Sequence, residues 1–175
     1  PGFRWFHNSL GTNMRMMEMQ AVIGRIQLKR MADWTARRQE NAKAINVVAG
    51  EFSVVRSVEV SPNIGHACYR HYLFVNPEHL AENWTRDRIV AEVIKMGVPC
   101  YHGSCPEVYL EKAFDNTGWV PKERLPNAKE LGETNIMFLV HPTLTKAEIE
   151  KTCDVLEQVL SAAARVEDQM AVTKC

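Results

Sequence analysis

The feature that most constrains the fold is a long uninterrupted stretch, residues 11–50, made almost entirely of good helix formers. It contains no proline, and Gly24 is its only interior glycine. Asn13 can cap the start of a helix here, and Gly50 can end it in a left-handed conformation. We therefore expect one long helix over residues 13–50, preceded by an arm or loop over residues 1–12.

The apolar pattern of this helix changes halfway along it. In the first half the apolar side chains point in nearly every direction, which is typical of a helix that is buried on all sides. They are Met16, Met17, Met19, Val22, Ile23, Ile26, Leu28 and Met31. In the second half Trp34, Ala42, Ile45 and Ala49 form a single stripe. We expect the first half to meet a further domain, a second copy of the chain, or both.

Charge and composition exclude several classes of partner. Lysine plus arginine equals aspartate plus glutamate, 21 of each, so we expect neither nucleic acid nor an anionic membrane as a partner. No stretch is long and apolar enough to span a membrane. Five cysteines at irregular spacing favour reduced thiols in a cytoplasmic protein. The chain begins at Pro1 without an initiator methionine, so we expect it to be part of a longer protein.

The rest of the chain is predicted to alternate short strands and helices. Strands are expected at 52–60, 68–75, 98–101 and 136–140, and helical segments at 86–96, 109–114 and 127–131. Thr145 and Glu148 form a capping box that opens a last helix. This order predicts an α+β fold over residues 51–167, a small sheet covered by helices, with a frayed tail over residues 168–175.

The residue types raise two chemical possibilities, a metal site and a Schiff-base lysine. A tetrahedral zinc site could be formed by Cys100, His102 and Cys105 of the loop of residues 99–105 together with His66, Cys68 and His71. No paired spacing occurs, and buried free thiols and hydrogen-bonded histidines are the alternative. We expect no metal. The lysines are Lys29, Lys43, Lys95, Lys112, Lys122, Lys129, Lys146, Lys151 and Lys174. None follows a strand in a glycine-rich turn, so we expect no catalytic nucleophile here.

The run Gly11-Thr12-Asn13-Met14-Arg15-Met16-Met17-Glu18-Met19-Gln20-Ala21-Val22-Ile23-Gly24 resembles the signature of the DegT/DnrJ/EryC1/StrS aminotransferases. The segments 72–75, 97–99 and 141–145 agree with that family in the same order. The resemblance covers nearly all of this chain but less than half of a family member. It implies the small C-terminal domain of a fold-type I aminotransferase that depends on pyridoxal phosphate (PLP), with the large domain and its Schiff-base lysine elsewhere.

The resemblance implies two cofactor contacts. Asn13 matches the asparagine that reaches across the family's homodimer to the cofactor phosphate of the other subunit, and its amide can donate to phosphate oxygen. A plain helix cap is the other interpretation of Asn13. Arg15 is either a second contact to the phosphate or part of a structural ion pair. PLP would be bound mainly by the large domain.

The loop of residues 99–105 follows a strand, where functional residues often lie. In the family this loop faces the sugar nucleotide, which implies Tyr101, His102 and Ser104 as substrate contacts. This chain departs from the family pattern, because it has Gly103-Ser104-Cys105 where an aromatic and histidine run with prolines is usual. An ordinary solvated loop is the alternative.

These observations lead to one expected function with two rivals. The chain is expected to be the C-terminal part of a cytoplasmic, homodimeric enzyme of amino sugar biosynthesis, which transfers an amino group from glutamate to a nucleotide-linked keto-sugar. By itself the chain should be inactive. A PLP-dependent sugar dehydratase, in which a histidine replaces the lysine, is the first rival. A non-catalytic dimerisation module is the second.

Overall fold

The computed structural model describes residues 14–103, 106–115 and 117–165. The chain divides into two compact units, Pro1–Asp33 and Trp34–Cys175. The helices are α1 (Glu18–Ala49), α2 (Arg86–Lys95), α3 (Pro126–Thr134) and α4 (Lys146–Ala163). The strands are β1 (Val55–Ser57), β2 (His71–Val75), β3 (Cys100–Tyr101) and β4 (Asn135–Phe138). Their order along the chain is the predicted one.

The start of α1 differs from the prediction. The helix begins at Glu18, and the backbone nitrogen of Met17 donates to Oε1 of Gln20 at 3.0 Å. Met17 therefore stands at the capping position, and Gln20 fills the acceptor role of the third helical residue. Asn13 itself lies outside the described residues. The described residues before Glu18, 14–17, are not helical, so the helix begins later than the predicted residue 13.

The end of α1 lies at Ala49, as expected, but its mechanism differs. The backbone nitrogen of Gly50 still donates to the Asn46 carbonyl at 2.9 Å, and that of Glu51 donates to Val48 at 3.2 Å. Gly50 is absent from the residues with positive φ among those described. The helix thus ends by tightening to i to i−3 bonds rather than by a left-handed glycine.

The two halves of α1 have different environments. Its buried residues are Asn41, Ala42, Ile45 and Ala49, so the predicted stripe is confirmed, with Trp34 half-buried beside it. In the first half the large apolar side chains are 46–73% exposed. What covers them stays a prediction.

The four strands form one antiparallel sheet in the order β1-β2-β4-β3. Leu73 of β2 lies opposite Ile136 of β4, and both belong to the core. On the other face of the sheet, Met137 lies between Tyr72 and Tyr101 of the flanking strands. Helices α2 and α4 contact each other and contribute their buried faces to the core. The expected α+β fold, a small sheet covered by helices and preceded in the chain by one long helix, is confirmed.

Several strands are shorter than predicted. β1 keeps only Val55–Ser57 of the expected range 52–60, and Val58 and Val60 are exposed. β2 starts at His71 rather than at residue 68, because Cys68 has a φ of 47°, which a strand does not accommodate. β3 begins two residues later than predicted, and β4 is displaced to 135–138. α3 extends to Thr134.

The helix caps of the second unit agree with the sequence. Oγ1 of Thr85 accepts a hydrogen bond from the Arg88 nitrogen at 3.1 Å, and Gly97 follows α2 with a φ of 79°. The capping box of Thr145 and Glu148 is formed in both directions. Within the described ranges, none of the helices combines the length and the apolarity needed to cross a bilayer.

Candidate functional site

The structure places two of the predicted substrate contacts at one end of the edge strand β3. Tyr101 is the last residue of β3, and its side chain is 47% exposed. Its neighbour His102 is exposed too, and its Nε2 lies 3.2 Å from Oδ1 of Asp87. The third, Ser104, lies outside the described residues, as does Asn13. Arg15 is exposed and precedes α1, in the other unit of the chain.

Asp87 stands in the first turn of α2 and has two cationic or potentially cationic neighbours. Nε of Arg86 donates to Asp87 Oδ1 at 2.6 Å, and this is the same oxygen that lies near His102. The hydrogen bond from Arg86 is the main reason that the pKa of Asp87 is lowered from its usual range. Asp87 is therefore an ionised acceptor available to the His102 ring.

Arg86 is one of the less exposed charged side chains of the fold, at 16%. Besides Asp87, its Nη1 donates to the carbonyl of Gly132 at 3.1 Å and to the carbonyl of Asn135 at 3.0 Å. One guanidinium thus joins the first turn of α2 to the last turn of α3 and to the first residue of β4. Five donors in a planar fork make arginine suited to such a junction.

Asn135 connects this junction to the loop that follows β3. Its side chain is buried, its Oδ1 accepts a hydrogen bond from the Gly103 nitrogen, and its Nδ2 donates to the Leu131 carbonyl. The fit around Gly103 is tight. A Cβ at that position would lie 2.6 Å from Asn135 Oδ1 and 2.8 Å from Cε1 of Tyr72. Glycine is required there by space rather than by φ.

A second polar cluster orders the segment between β3 and α3. Glu107 is buried, and it accepts hydrogen bonds from Tyr109 Oη at 2.7 Å and from Arg124 Nε at 2.8 Å. Tyr109 Oη in turn accepts from the Leu125 nitrogen at 2.9 Å. The bonds from Arg124, and then from Tyr109, lower the pKa of Glu107 to about 2. This cluster holds a segment that has only short 3₁₀ turns of its own.

Of the described zinc candidates, His66 and Cys68 lie together, with Nδ1 3.2 Å from Sγ. Cys100 belongs to the hydrophobic core, and burial raises the pKa of its thiol to about 12. His102 instead faces Asp87. In the described part of the chain, no group of three or more histidine, cysteine, aspartate or glutamate side chains is placed to hold a metal ion.

The lysines bear on the question of a Schiff base. All of those between residues 29 and 151 are exposed, and Lys174 lies outside the described residues. Lys95 is paired with Glu92, Lys146 with Glu150, and Lys151 donates to the Gly97 carbonyl. A lysine that carries a cofactor needs a fixed position beside the ring, often with its amine shielded from water. The described lysines have no such environment.

Sequence reasoning missed the residues that hold the loop in place: Asn135, Arg86, Asp87 and Glu107. Their partners are distant in the chain, since Asn135 meets Gly103 across 32 residues and Arg86 meets Asn135 across 49. The one available signal was a polar residue, Asn135, directly before an apolar strand. That signal alone does not name a partner.

The fold matches solved structures of aminotransferases. An aminotransferase of Psychrobacter cryohalolentis superposes with a TM-score of 0.81 at 50% identity, covering 93% of this chain and 43% of that one. A profile of the DegT/DnrJ/EryC1/StrS aminotransferase family matches residues 2–157, and the chain belongs to this family. The resemblance predicted from the signature is thereby confirmed.

One further relative is similar in sequence, and one further solved structure is similar in fold. GDP-perosamine synthase of Caulobacter vibrioides is 25% identical over 91% of this chain and 42% of its own length. A Streptococcus pneumoniae protein described as a sugar aminotransferase, in its PLP form, has a TM-score of 0.69 at 22% identity, covering 83% of this chain and 36% of its own. The chain therefore spans about two fifths of the length of the relatives it matches.

Proposed function

We propose that this chain is the C-terminal part of a PLP-dependent aminotransferase, which transfers an amino group from glutamate to a nucleotide-linked keto-sugar. The observation that carries the proposal is the family match over residues 2–157, together with 50% identity to the Psychrobacter aminotransferase. GDP-perosamine synthase is named for a nucleotide-linked amino sugar, which supports the substrate class. The enzyme is proposed to be cytoplasmic and homodimeric.

The division of labour within the enzyme follows from the residues present. The described lysines are all exposed, so the residues described here do not by themselves fit a Schiff-base site for PLP. When bound, PLP supplies the electron sink for amino transfer. We assign that chemistry to the remainder of the enzyme. In this assignment, Asn13 and Arg15 of this chain contact the cofactor phosphate.

The proposed role of the second unit is to recognise the sugar nucleotide. Tyr101 and His102 are exposed at the end of β3, and Ser104 follows them. A phenol hydroxyl and an imidazole can exchange hydrogen bonds with sugar hydroxyls or donate to phosphate oxygens. Asp87 accepts from the ring nitrogen on one side of His102, which leaves the other nitrogen for the substrate.

The organisation of the chain fits this assignment. We propose that residues 1–12 are an arm from the large domain, 13–50 the linking and dimer-interface helix, 51–167 the small domain, and 168–175 a tail. The exposed apolar side chains of the first half of α1 support a role in association.

The function is tested on the full-length enzyme with PLP, glutamate and a panel of nucleotide-linked keto-sugars. We expect 2-oxoglutarate and one amino sugar nucleotide in equal amounts, measured by mass spectrometry. A full-length variant without its Schiff-base lysine is the control and should form neither. Loss of water from the sugar without amine gain would instead establish the dehydratase. Absence of any turnover across the panel would refute the proposed substrate class.

A companion experiment tests the division of labour. The 175-residue chain alone is mixed with PLP and treated with borohydride. We expect no stoichiometric adduct, because the described lysines are exposed. Fixation of PLP on one specific lysine of this chain would refute the assignment.

A further inference from the structure

The loop that follows β3 is fixed by a hydrogen bond to the buried side chain of Asn135. Asn135 is buried with 5% of its surface exposed, and both ends of its amide are used. Its oxygen accepts from the backbone of Gly103, the second residue after β3, and its nitrogen donates to the last turn of α3. The residue that contacts the loop is therefore itself fixed at a helix end.

The backbone of Asn135 is held as well. Arg86 donates to the Asn135 carbonyl at 3.0 Å and to the Gly132 carbonyl at 3.1 Å, and the same guanidinium donates to Asp87. Asp87 is the residue that faces His102 at 3.2 Å. His102 and Gly103 are consecutive, and each is held by one branch that leads back to Arg86.

The Gly103 contact leaves the loop little room to move toward the sheet. A single methyl group at Gly103 would approach both the Asn135 oxygen and the Tyr72 ring to less than 3 Å. The loop backbone is thus pressed against the sheet face that also carries Tyr101. The backbone of His102 therefore lies between Tyr101, which pairs with β4, and Gly103, which is bonded to Asn135.

We propose that Asn135 is a positioning residue for sugar-nucleotide binding, and that it acts by fixing the backbone after β3 so that Tyr101 and His102 meet the substrate. The inference rests on the proposed function, since it assumes that this loop faces the sugar nucleotide. Asn135 touches neither the substrate nor the cofactor in this assignment. Small displacements of substrate-contacting groups are costly for binding and turnover.

The test uses the full-length enzyme and the variant Asn135→Leu, which keeps the approximate volume and removes both hydrogen bonds. We expect the dissociation constant and the KM for the sugar nucleotide to rise about tenfold or more, while the KM for glutamate and the PLP content stay within about twofold of wild type. Calorimetric titration with the sugar nucleotide gives the dissociation constant independently of turnover.

The matched control is Asn41→Leu. Asn41 is also an asparagine with 5% exposure whose amide donates to backbone carbonyls, those of Val140 and His141 at 3.4 and 3.3 Å, but it lies on α1. A general loss of stability should appear as a lower Tm in both variants. Only Asn135→Leu should change the affinity for the sugar nucleotide.

A second variant, Gly103→Ala, tests the proposal if Asn135→Leu does not fold. Gly103→Ala leaves Asn135 in place and displaces the loop through the short contacts described above. We expect the same selective rise in the dissociation constant of the sugar nucleotide. An unchanged value in folded Gly103→Ala would overturn the proposal, as would an unchanged value in folded Asn135→Leu.

The pathway through His102 is tested by a double-mutant cycle. If Asn135 acts by placing His102, the double variant Asn135→Leu with His102→Ala should bind the sugar nucleotide no more weakly than the weaker single variant. Fully additive losses would overturn the route through His102. Wild-type enzyme that binds no sugar nucleotide refutes the proposed function and with it this role, whereas normal wild-type binding with no selective effect refutes Asn135 alone.

Discussion

Truncation of Ile45 tests whether the second half of α1 belongs to the core of the small domain. Ile45 is 0% exposed and packs within the core cluster. Ile45→Ala removes three carbons at about 0.8 kcal/mol each, and the remaining cavity adds to this, for a total of about 3 kcal/mol. The equilibrium constant for unfolding should rise roughly a hundredfold.

The assay is urea and thermal unfolding of the 175-residue chain at low concentration, followed by circular dichroism. A loss of about 3 kcal/mol corresponds to a Tm lowered by roughly 6–12 °C for a chain of this size. Val47→Ala is the control, because Val47 lies on the same helix and is 60% exposed. Its effect should stay within about 0.5 kcal/mol. Equal shifts for both variants would refute the packing of α1 described above.

Three further predictions concern association, acid stability and the cofactor. Light scattering should show that the isolated chain self-associates through the exposed apolar side chains of α1. Met19→Ser, at a residue that is 73% exposed, should weaken this association without lowering Tm. A monomeric chain that binds no hydrophobic dye would contradict the prediction. Glu107 has a folded pKa of about 2, below its ordinary 4.5, so it stabilises the fold above pH 4.5 and loses this contribution as the pH falls toward 2. Glu107→Gln should flatten that acid dependence in urea titrations, and an unchanged slope would contradict the pairing with Arg124. In the full-length enzyme, Asn13→Ala should weaken PLP binding about ten- to a hundredfold. Mixing this variant with chains that lack the Schiff-base lysine should restore about a quarter of wild-type activity, because about half of the chains form heterodimers and each heterodimer has one intact site. No recovery despite proven subunit exchange would reject the cross-dimer role.

The start of α1 differs from the prediction, whereas the starts of α2 and α4 agree with it. The sequence predicts a helix from residue 13 with Asn13 as its cap, but α1 begins at Glu18, and the Met17 nitrogen donates to the Gln20 side chain at 3.0 Å. Asn13 itself lies outside the described residues. At α2 and α4 the predicted caps are confirmed: Thr85 accepts from the Arg88 nitrogen, and Thr145 and Glu148 form a reciprocal capping box.

The boundaries of the strands were predicted less well than the helix caps. The apolar content of residues 52–60 predicts a strand, but β1 pairs only Val55–Ser57 with Leu73–Val75. β2 continues to His71, yet the chain leaves the ladder after Ser57, and Val58 and Val60 are exposed. In β2 the positive φ of Cys68 delays the start to His71. Neither limit is visible in a pattern of apolar residues.

The sequence by itself determined the order of the elements, the buried stripe of α1, the caps of α2 and α4, and the family, which Asn13 and its signature indicate. These features depend on residues within about four positions of one another or on a contiguous motif. Only the tertiary structure decided how the loop after β3 is held. Asn135, Gly103 and Arg86 meet across 32 and 49 residues, and a side-chain hydrogen bond over such a separation exists only once the sheet and both helices are in place.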